Sequence, residues 1–566
     1  MGSNPARRAT LGENYVKNHA EGAKRTAMTE APPKNGWLRL EWVSAILISL
    51  VALALHVVFL NHAGGFWRDE TCVVQIGTLP TLGDVWEMLP HDHCPILVPA
   101  LVRLWTKLGL GNTDFGIRQL GFILGLMLTA SYWASARIMR RGLPLVALSL
   151  VGVNVMVIRT GDSLRAYGLG STLSVLSLAL IWRAAKNPRP ANLLWAAVVA
   201  VISVQCLYQN AVFIFAGCCG GFVVCLMERR WRDIVRILGI GFVAAISLLP
   251  YVAPIRASQD WWILARTGFT MEMGLRNLST LMGFPSPIFA GLWIVLGLFA
   301  LYVAVLAVKE PALIGARDLI LFNTVAMVVG MAGFFAFLKS SNLPTQFWYF
   351  IPLLVFITPC LEAILLNFRS WMSPAAASFA VLMAIAACLA GIPQAKCRQT
   401  NMDLLAARLM KVASAEDYIV VQPWYYGVSF NRYYHGNTPW ATLPQLANYE
   451  FHRYDQLKVR MQEEHPIQPV IDQMLKTLQN GHRVWVVGGL DVSAKPPPEM
   501  NPAPNNPWGW ADSPYAHVWG MQAGYAIATH ALKAGVPPKV TEDCISPFED
   551  VPVLIFAGWR PGATAP

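Results

Sequence analysis

The chain contains 566 residues, of which 55% are hydrophobic and only 14% are charged. An ordinary soluble protein carries about 25% charged residues, so this composition excludes that class and indicates a protein that spans a membrane. The formal net charge of +11 does not indicate a nucleic-acid partner, because the excess of Lys and Arg lies in the N-terminal tail and in short loops between apolar segments, as the positive-inside rule describes.

The N-terminal segment, residues 1–36, is polar and basic and has neither an apolar core nor a signal-peptide cleavage site. We expect it to be a disordered tail on the cytoplasmic side. The first apolar segment, about 38–60, then stays attached and carries the chain to the outer face of the membrane.

The stretch that follows, residues 61–114, contains no uninterrupted apolar segment of spanning length. Its longest apolar piece, 95–110, is interrupted by Arg103 and Lys107, which lie four residues apart on one face of a helix. This pattern is typical of a helix that lies in the membrane interface. We therefore predict a long, largely helical first outer loop.

Further apolar segments follow, each about as long as a helix needs to cross the hydrocarbon layer. The basic loops between them alternate in a way that fits about eleven spans in total, a transmembrane domain at 37–394 and a C-terminal region on the outer side. The predicted later spans are 115–136, 143–158, 166–183, 192–208, 211–227, 235–250, 286–308, 318–338, 348–366 and 374–392.

The composition becomes polar and rich in Pro and aromatic residues over 395–566. Short apolar segments at 418–422 and 483–488 predict buried strands, and helical spacing is present at 400–415 and near 466–480. We predict an extracytoplasmic α/β domain here. Two pairs of cysteines on the outer side, Cys72 with Cys94 and Cys397 with Cys544, could form disulfides, and the sequence leaves the pairing open.

Two adjacent carboxylates, Asp69 and Glu70, follow the first span directly. An ionisable residue near a cavity in the membrane is costly and often functional, so this pair, where a helix meets the outer surface, is a candidate base or metal ligand. The alternative is a solvated acidic loop in which Asp69 caps the next helix.

Other polar residues lie in the same outer region. His91 and His93 precede the predicted interfacial helix, although His residues in loops more often make ordinary hydrogen bonds than bind metal. Asp162 and Arg165 lie in the second outer loop and Tyr167 enters the following span. Charges at span ends are usually interfacial anchors, but these residues would face the first loop across one surface.

The order and sidedness of these motifs resemble the GT-C superfamily of glycosyltransferases, and within it the bacterial protein O-mannosyltransferase and aminoarabinose-transferase-like enzymes. The segment 66–70 resembles the Asp-Glu motif of that group, and His93-Cys-Pro-Ile-Leu resembles its His-Pro-Pro-Leu element with Cys in place of the first Pro. The segment 162–167 resembles the element that begins the fourth span, and 417–434 resembles the outer domain. Trp348-Tyr349-Phe-Ile-Pro resembles an Arg-Tyr-x-x-Pro element but lacks its Arg, and Lys339 is a possible substitute.

The resemblance implies transfer of a sugar from a polyprenyl-phosphate donor by in-line displacement with inversion at the anomeric carbon. Such an enzyme must deprotonate an acceptor hydroxyl, and we predict Asp69 as the general base, with Glu70 beside it in the catalytic pair. A divalent cation, Mg, Mn or Zn, would act as a Lewis acid on the donor phosphate. Its predicted ligands are Glu70, Asp162, His91 and His93.

Cationic and aromatic residues of the outer loops are candidates for the substrates. The predicted phosphate and donor ligands are Arg165, Tyr167, Arg256, Arg266 and Lys339; the alternative for each cation is an anchor to lipid headgroups. Those predicted for the sugar or acceptor are Trp261, Trp262 and Tyr349, where the Trp pair has the alternative role of an interfacial aromatic belt.

The sequence thus predicts a multi-pass enzyme of a bacterial inner membrane, with the N-terminus cytoplasmic and the C-terminal domain periplasmic. It would move a monosaccharide onto a lipid or polysaccharide of the cell envelope, such as lipopolysaccharide. A transporter or flippase of a lipid-linked sugar is the main alternative, and a non-catalytic assembly factor is another. A transporter favours charges inside the spans and an internal repeat, and the sequence has neither pattern.

Overall fold

The computed structural model describes residues 35–92, 94–259, 268–309, 316–342, 344–366, 372–493, 495–504 and 511–560. The predicted N-terminal tail, apart from its last two residues, lies outside the described residues, as do four predicted site residues: His93, Trp261, Trp262 and Arg266.

The N-terminal part of the described chain is helical throughout. It contains helices α1–α17 and no strand among the described residues. The helices are α1 (Asn35–His62), α2 (Arg68–Gly77), α3 (Leu82–Met88), α4 (Leu97–Lys107), α5 (Asp114–Met139), α6 (Leu145–Ala147), α7 (Val155–Gly161), α8 (Tyr167–Lys186), α9 (Pro190–Val204), α10 (Asn210–Met227), α11 (Trp231–Ile246), α12 (Val252–Gln259), α13 (Met271–Met282), α14 (Pro287–Lys309), α15 (Arg317–Ser341), α16 (Ile351–Leu366) and α17 (Met372–Ala395).

Nine helical segments in the described part of the chain are long and apolar enough to cross a membrane. This confirms a helical, polytopic membrane protein, with fewer uninterrupted spans than the eleven predicted. The nine are Arg39–His62, Asp114–Met139, Tyr167–Lys186, Asn210–Met227, Trp231–Ser258, Pro287–Lys309, Arg317–Ser341, Phe347–Leu366 and Ala377–Ala395.

Two of the predicted spans are not continuous helices of spanning length. The segment predicted at 143–158 is divided, because α6 continues as a π-helix to Gly152 and Asn154 then starts α7 by accepting hydrogen bonds from Met156 and Val157. The segment predicted at 192–208 is α9, which has 15 residues. At about 1.5 Å per residue such a helix is shorter than the roughly 30 Å of hydrocarbon.

The loop between the first two spans is helical, as predicted. It contains α2, α3 and α4, and α4 includes Arg103 and Lys107. The guanidinium of Arg103 donates to the carbonyls of Leu79 and Pro80, which connects α4 to the end of α2. The loop therefore packs back on itself.

Close helix contacts position the loop 162–166, which precedes α8. A Cβ on Gly121 or Gly125 of α5 would lie 2.0 Å or 1.7 Å from oxygens of Asp162, so glycine is required at both positions for this loop to lie against α5. The side chain of Asp162 pairs with His56 of α1 at 2.7 Å, and both residues are buried. This places Arg165 at the mouth of the helical bundle.

The C-terminal part contains a five-stranded sheet of order β2-β1-β3-β5-β4. Its strands are β1 (Tyr418–Gln422), β2 (Trp440–Thr442), β3 (Val484–Gly488), β4 (Ala531–Gly535) and β5 (Val553–Trp559). The pairs β1–β2 and β1–β3 are parallel, whereas β3–β5 and β4–β5 are antiparallel. Both strands predicted from the sequence, β1 and β3, are confirmed, and each is buried along its whole length.

Helices cover this sheet, which confirms a mixed α/β region. They are α18 (Met402–Val412), α19 (Tyr426–Tyr433), α20 (Tyr454–Met461), α21 (Gln468–Gln479) and α22 (Ser513–His530). One apolar cluster contains Met474, Val486 and Ile527, and a second contains Leu405, Ile419 and Trp485. These clusters identify the two faces of the sheet on which the helices pack.

Specific polar contacts hold the α/β region against the first outer loop. Arg432 and Tyr433 of α19 both contact the carboxylate of Asp114, at 2.6 Å and 2.7 Å. The hydroxyl of Tyr433 also accepts a hydrogen bond from the backbone N–H of Phe66. A disulfide joins Cys397 to Cys544, while Cys72 and Cys94 are free thiols. The α/β region is thereby fixed beside the acidic motif.

Candidate functional site

The two acidic residues of the first outer loop point in different directions from the first turn of α2. The Glu70 side chain is fully buried, and its two oxygens lie 3.2 Å and 3.3 Å from the guanidinium nitrogens of Arg118 on α5. The backbone N–H of Leu164 donates to the same carboxylate. Glu70 thus joins α2, α5 and the loop 162–166, and its oxygens are occupied by these partners.

Asp69 instead faces a cavity and is 22% exposed. Its Oδ2 accepts a hydrogen bond of 2.6 Å from Nη1 of Arg165. Its Oδ1 lies 3.5 Å from Nε2 of His452 and 3.7 Å from Nε of Arg68. Burial raises the pKa of Asp69, but Arg165, His452 and Arg68 together outweigh burial and hold this pKa well below its usual range. The carboxylate is therefore ionised at neutral pH.

The cavity in front of Asp69 has a volume of about 600 Å³ and lies between the helical region and the α/β region. Both parts of the chain supply its walls, so the site exists only where they meet. Lining residues from the helical region include Arg68, Asp69, Asp92, Arg165 and Tyr349; those from the α/β region include Tyr425, His452, Tyr454, Asp512 and His517.

Asp92 is a second acid of this cavity. Its side chain is buried, and its Oδ2 has no hydrogen-bond partner among the described residues. Burial, opposed by Arg165 and assisted by Asp69, raises the pKa of Asp92 to about 7. The cavity therefore contains one acid that is firmly ionised and another that is partly protonated at neutral pH.

Arg68 is held in place by the α/β region. Its backbone N–H donates to Oε2 of Glu549 at 2.8 Å, and its Nη1 donates to the carbonyl of Phe548. Its guanidinium also lies over the ring of Tyr425. These contacts keep a cation next to Asp69 without the long-range motion available to an exposed Arg side chain.

A smaller cavity of about 400 Å³ adjoins the first and shares Arg165, Trp348 and Phe548 with it. Trp67 and Met156 contribute apolar walls, and Arg159 contributes a second cation. Arg165 lies over the rings of Trp67 and Tyr167, which stack around its guanidinium. Arg165 is therefore accessible from two directions.

The predicted donor and sugar residues are only partly brought together. Arg165 and Tyr349 line the Asp69 cavity, and Tyr167 packs against both of them. Arg256 and Lys339 are exposed and do not belong to the described lining of either cavity. No contact of Arg256 or Lys339 with the Asp69 site is present in the described part of the chain.

The predicted metal ligands are separated. Glu70 faces Arg118, Asp162 faces His56, and His91 lies 3.3 Å from the carbonyl of His452. Within the described ranges, no three His, Cys, Asp or Glu residues form a group that could hold a metal ion. The described residues of the predicted set therefore do not fit a common ion, and the divalent cation stays a prediction from the sequence.

Sequence reasoning did not select His452, Asp92 or Glu549 for the site. His452 is 383 positions from Asp69 along the chain, as their numbers show, and nothing around it resembles a motif. Asp92 lies between His91 and His93, and in this segment only the two His residues were predicted as metal ligands. Burial of an acid that lies in a polar loop can be recognised only once the residues that pack around it are known.

Comparisons with known proteins give a likeness of fold. No protein-family model and no curated protein sequence matches the chain. The crystal structure of ArnT from Cupriavidus metallidurans bound to undecaprenyl phosphate is 12% identical, with a TM-score of 0.49 over 93% of this chain and 99% of that one. AglB, an archaeal oligosaccharyltransferase from Archaeoglobus fulgidus, was solved with an inhibitory peptide and a dolichol-phosphate. It is 12% identical, with a TM-score of 0.47 over 92% of this chain and 74% of that one. Likeness at this level does not identify a family or an activity.

Proposed function

We propose that this protein is a membrane glycosyltransferase that moves a monosaccharide from a polyprenyl-phosphate donor to a hydroxyl of a lipid or polysaccharide. In this proposal the transfer takes place on the periplasmic side of a bacterial inner membrane. One observation carries it: an ionised carboxylate, Asp69, lies beside two guanidinium groups in a cavity at the junction of the spans and a polar domain. A base next to phosphate-binding cations is what this transfer requires.

The proposed reaction is a single displacement at the anomeric carbon. The acceptor hydroxyl donates a hydrogen bond to Asp69 and attacks the carbon from the face opposite the phosphate. A bond forms between the acceptor oxygen and the sugar, while the bond between the sugar and the phosphate oxygen breaks. The proton passes to Asp69, and the electron pair leaves with the polyprenyl phosphate. One displacement inverts the configuration of the sugar.

Arg165 has two roles in this scheme. In the structure it neutralises Asp69 through the 2.6 Å hydrogen bond. A donor phosphodiester competes for the same guanidinium, because its two anionic oxygens can accept the paired hydrogen bonds that an Arg side chain donates. When Arg165 turns toward the phosphate, the pKa of Asp69 rises and the carboxylate becomes a better base. Donor binding and activation of the base are then a single event.

The different linings of the two cavities support separate binding sites for the lipid phosphate and for the sugars. The smaller cavity is lined by apolar residues such as Met156, Phe347 and Trp348 and also contains Arg159 and Arg165. We assign it to the phosphate end of the isoprenoid donor. The larger cavity, with Tyr425, Tyr454 and Asp512 in its wall, offers rings and hydrogen-bonding groups for sugars. No step of this scheme requires a metal.

The test is mass spectrometry of envelope lipids and glycans from cells that carry the wild type, a deletion, Asp69→Asn or the matched control Glu87→Gln. Glu87 is an exposed acid of the same outer loop and lines neither cavity. We expect one glycan to lose a sugar residue in the deletion and in Asp69→Asn, and to keep it in Glu87→Gln. The mass that is lost identifies the sugar and the acceptor together.

Loss of the glycan in the deletion alone would contradict the role of Asp69. If Asp69→Asn protein, inserted at the wild-type level, supported normal transfer, a transporter or flippase of the lipid-linked sugar would become the better explanation. A flippase moves the donor without breaking the sugar–phosphate bond, and it does not need a base at this position.

A further inference from the structure

A third cavity, larger than the two described above, lies at the end of the helical bundle opposite the Asp69 site. It has a volume of about 1000 Å³ and is formed where the ends of α5, α8 and α15 meet. Helix α5 has 26 residues and begins at Asp114, which contacts the α/β region. At about 1.5 Å per residue, its other end lies roughly 40 Å from that contact. We call this space the basic cavity.

The lining of the basic cavity is strongly cationic. Among the described residues around it, five carry positive charge and one carries negative charge: Arg137, Arg140, Arg183, Lys186 and Arg317 against Asp318. Four of these cations are exposed and Arg317 is half-buried, and like charges that share one space repel each other. A cavity of this composition favours an anion.

The single acid does not neutralise the arginines. The ammonium of Lys186 lies 2.6 Å from Asp318 and 2.5 Å from Glu228, so Asp318 is already paired. Arg137, Arg140, Arg183 and Arg317 form no ion pair within the described part of the chain. The Nε of Arg317 is buried and has no hydrogen-bond partner there.

Two general effects account for some of this charge but not for its arrangement. Cations favour the C-terminal ends of helices, and loops on one side of a membrane are enriched in Lys and Arg. Neither effect requires several arginines to line one cavity. Arg232 and Lys309 are exposed and line no part of this cavity, although each would satisfy the positive-inside rule equally well.

The walls of the basic cavity indicate a lipid as the source of the anion. Ile138, Trp182 and Leu319 are part of its lining, and they lie at the ends of predicted membrane spans, at the level where lipid headgroups are found. Basic pockets between spans recognise phosphate-bearing headgroups. A soluble anion would need the cations and not the apolar wall.

We propose that the basic cavity binds the phosphate head of an anionic membrane lipid, with Arg183 and Arg317 as ligands and the lipid chain against the apolar wall. This site is separate from the Asp69 cavity and does not depend on the proposed sugar transfer. A bound lipid would neutralise the cluster and hold the ends of α5, α8 and α15 together.

The experiment uses the full-length protein in a neutral detergent and counts bound lipids by native mass spectrometry. The probes are phosphatidylglycerol and phosphatidylcholine with identical chains. The variant is Arg183→Gln/Arg317→Gln, and the matched control, Arg232→Gln/Lys309→Gln, removes the same charge outside the cavity. We expect the wild type and the control to prefer phosphatidylglycerol by about tenfold or more, and the variant to lose this preference.

Equal loss of preference in the control would overturn the site, because it would show binding by general charge. A wild type without preference would also overturn it. Millimolar inorganic phosphate is added in a further arm: unchanged lipid binding supports a lipid site, whereas displacement would assign the cavity to a soluble phosphate. The charge-conserving variant Arg183→Lys/Arg317→Lys should retain most of the preference. If it folds and does not, the proposal fails in its present form.

Discussion

Nη1 of Arg165 and Oδ2 of Asp69 are 2.6 Å apart, although the two residues are 96 positions apart in the chain. This pair connects the first turn of α2 to the loop that enters α8. It keeps Asp69 ionised and leaves Arg165 in contact with two cavities. In the proposed reaction, exchange of this partner for a phosphate is the first event after donor binding.

Replacement of Arg165 tests this exchange. We expect Arg165→Gln to lower kcat/KM for sugar transfer by about 10²–10³-fold, the range seen when one charge-stabilising donor is removed. Without Arg165 the pKa of Asp69 rises, so the pH at which activity falls on the acid side should move upward. A pH profile in vitro measures both effects. Lys107→Ala, an exposed change on the same outer loop, is the control, and an unmoved acid limb in Arg165→Gln would count against the pairing.

Glu70 should behave differently from its neighbour. Glu70→Ala leaves Arg118 buried without its carboxylate, and removing one member of a buried ion pair costs about 3–5 kcal/mol. We expect a large fall in the thermal midpoint of the detergent-solubilised protein. Asp69→Asn should lower the midpoint less than Glu70→Ala, because Asp69 is partly exposed and Asn keeps a side-chain oxygen that can accept the hydrogen bond from Arg165. The double variant Glu70→Ala/Arg118→Met should recover part of the stability, and failure to recover any would mean that Glu70 acts through another partner.

The carboxyl group of Glu549 makes stability depend on pH. Burial, opposed by Arg68, raises the pKa of Glu549 to about 7, above the value of about 4.3 expected in the unfolded chain. A raised pKa stabilises the fold fully below the unfolded pKa, and this contribution is lost as the pH rises through the folded pKa.

Glu549→Gln removes this titration. Relative to Glu549→Gln, the wild type should therefore lose on the order of 1–3 kcal/mol of stability between pH 5 and pH 8. Denaturation midpoints measured across this range provide the test. Glu499→Gln, at an exposed position of the α/β region, should follow the wild-type slope. Parallel slopes for the wild type and Glu549→Gln would show that Glu549 titrates normally.

Removal of divalent cations tests the metal predicted from the sequence. The described acids and histidines form no common group, and Arg68 and Arg165 already provide positive charge beside Asp69. We expect sugar transfer by purified protein to continue at its full rate in excess EDTA. Loss of activity that Mg, Mn or Zn restores would return the cation to the mechanism, with Oδ2 of Asp92, unpaired among the described residues, as one ligand to consider.

Local sequence patterns predicted the features that depend on local chemistry. Hydropathy identified most of the spans, and short continuous apolar segments identified β1 and β3, because burial of a whole segment is visible in its own residues. The break at Asn154 was missed, since the segment around it is uniformly apolar. The partner of Glu70 was also missed. Arg118 was included in a predicted span, and only the packing of α2 on α5 shows that it meets a carboxylate 48 positions earlier.

The residues of the site lie far apart in the sequence, so the ribosome adds them to the chain at very different times. The disulfide between Cys397 and Cys544 fixes the segment that carries Phe548 and Glu549, and these two residues hold Arg68 beside Asp69. The nine spanning helices in the described part of the chain all precede Cys544, so they are synthesised before this segment. A chain cut before residue 544 would keep these helices but would lack Phe548 and Glu549, the partners of Arg68. A reduced chain would keep both residues but would lose the covalent link that fixes their segment. Insertion of the spans and assembly of the site are therefore separate outcomes, and the disulfide contributes only to the second.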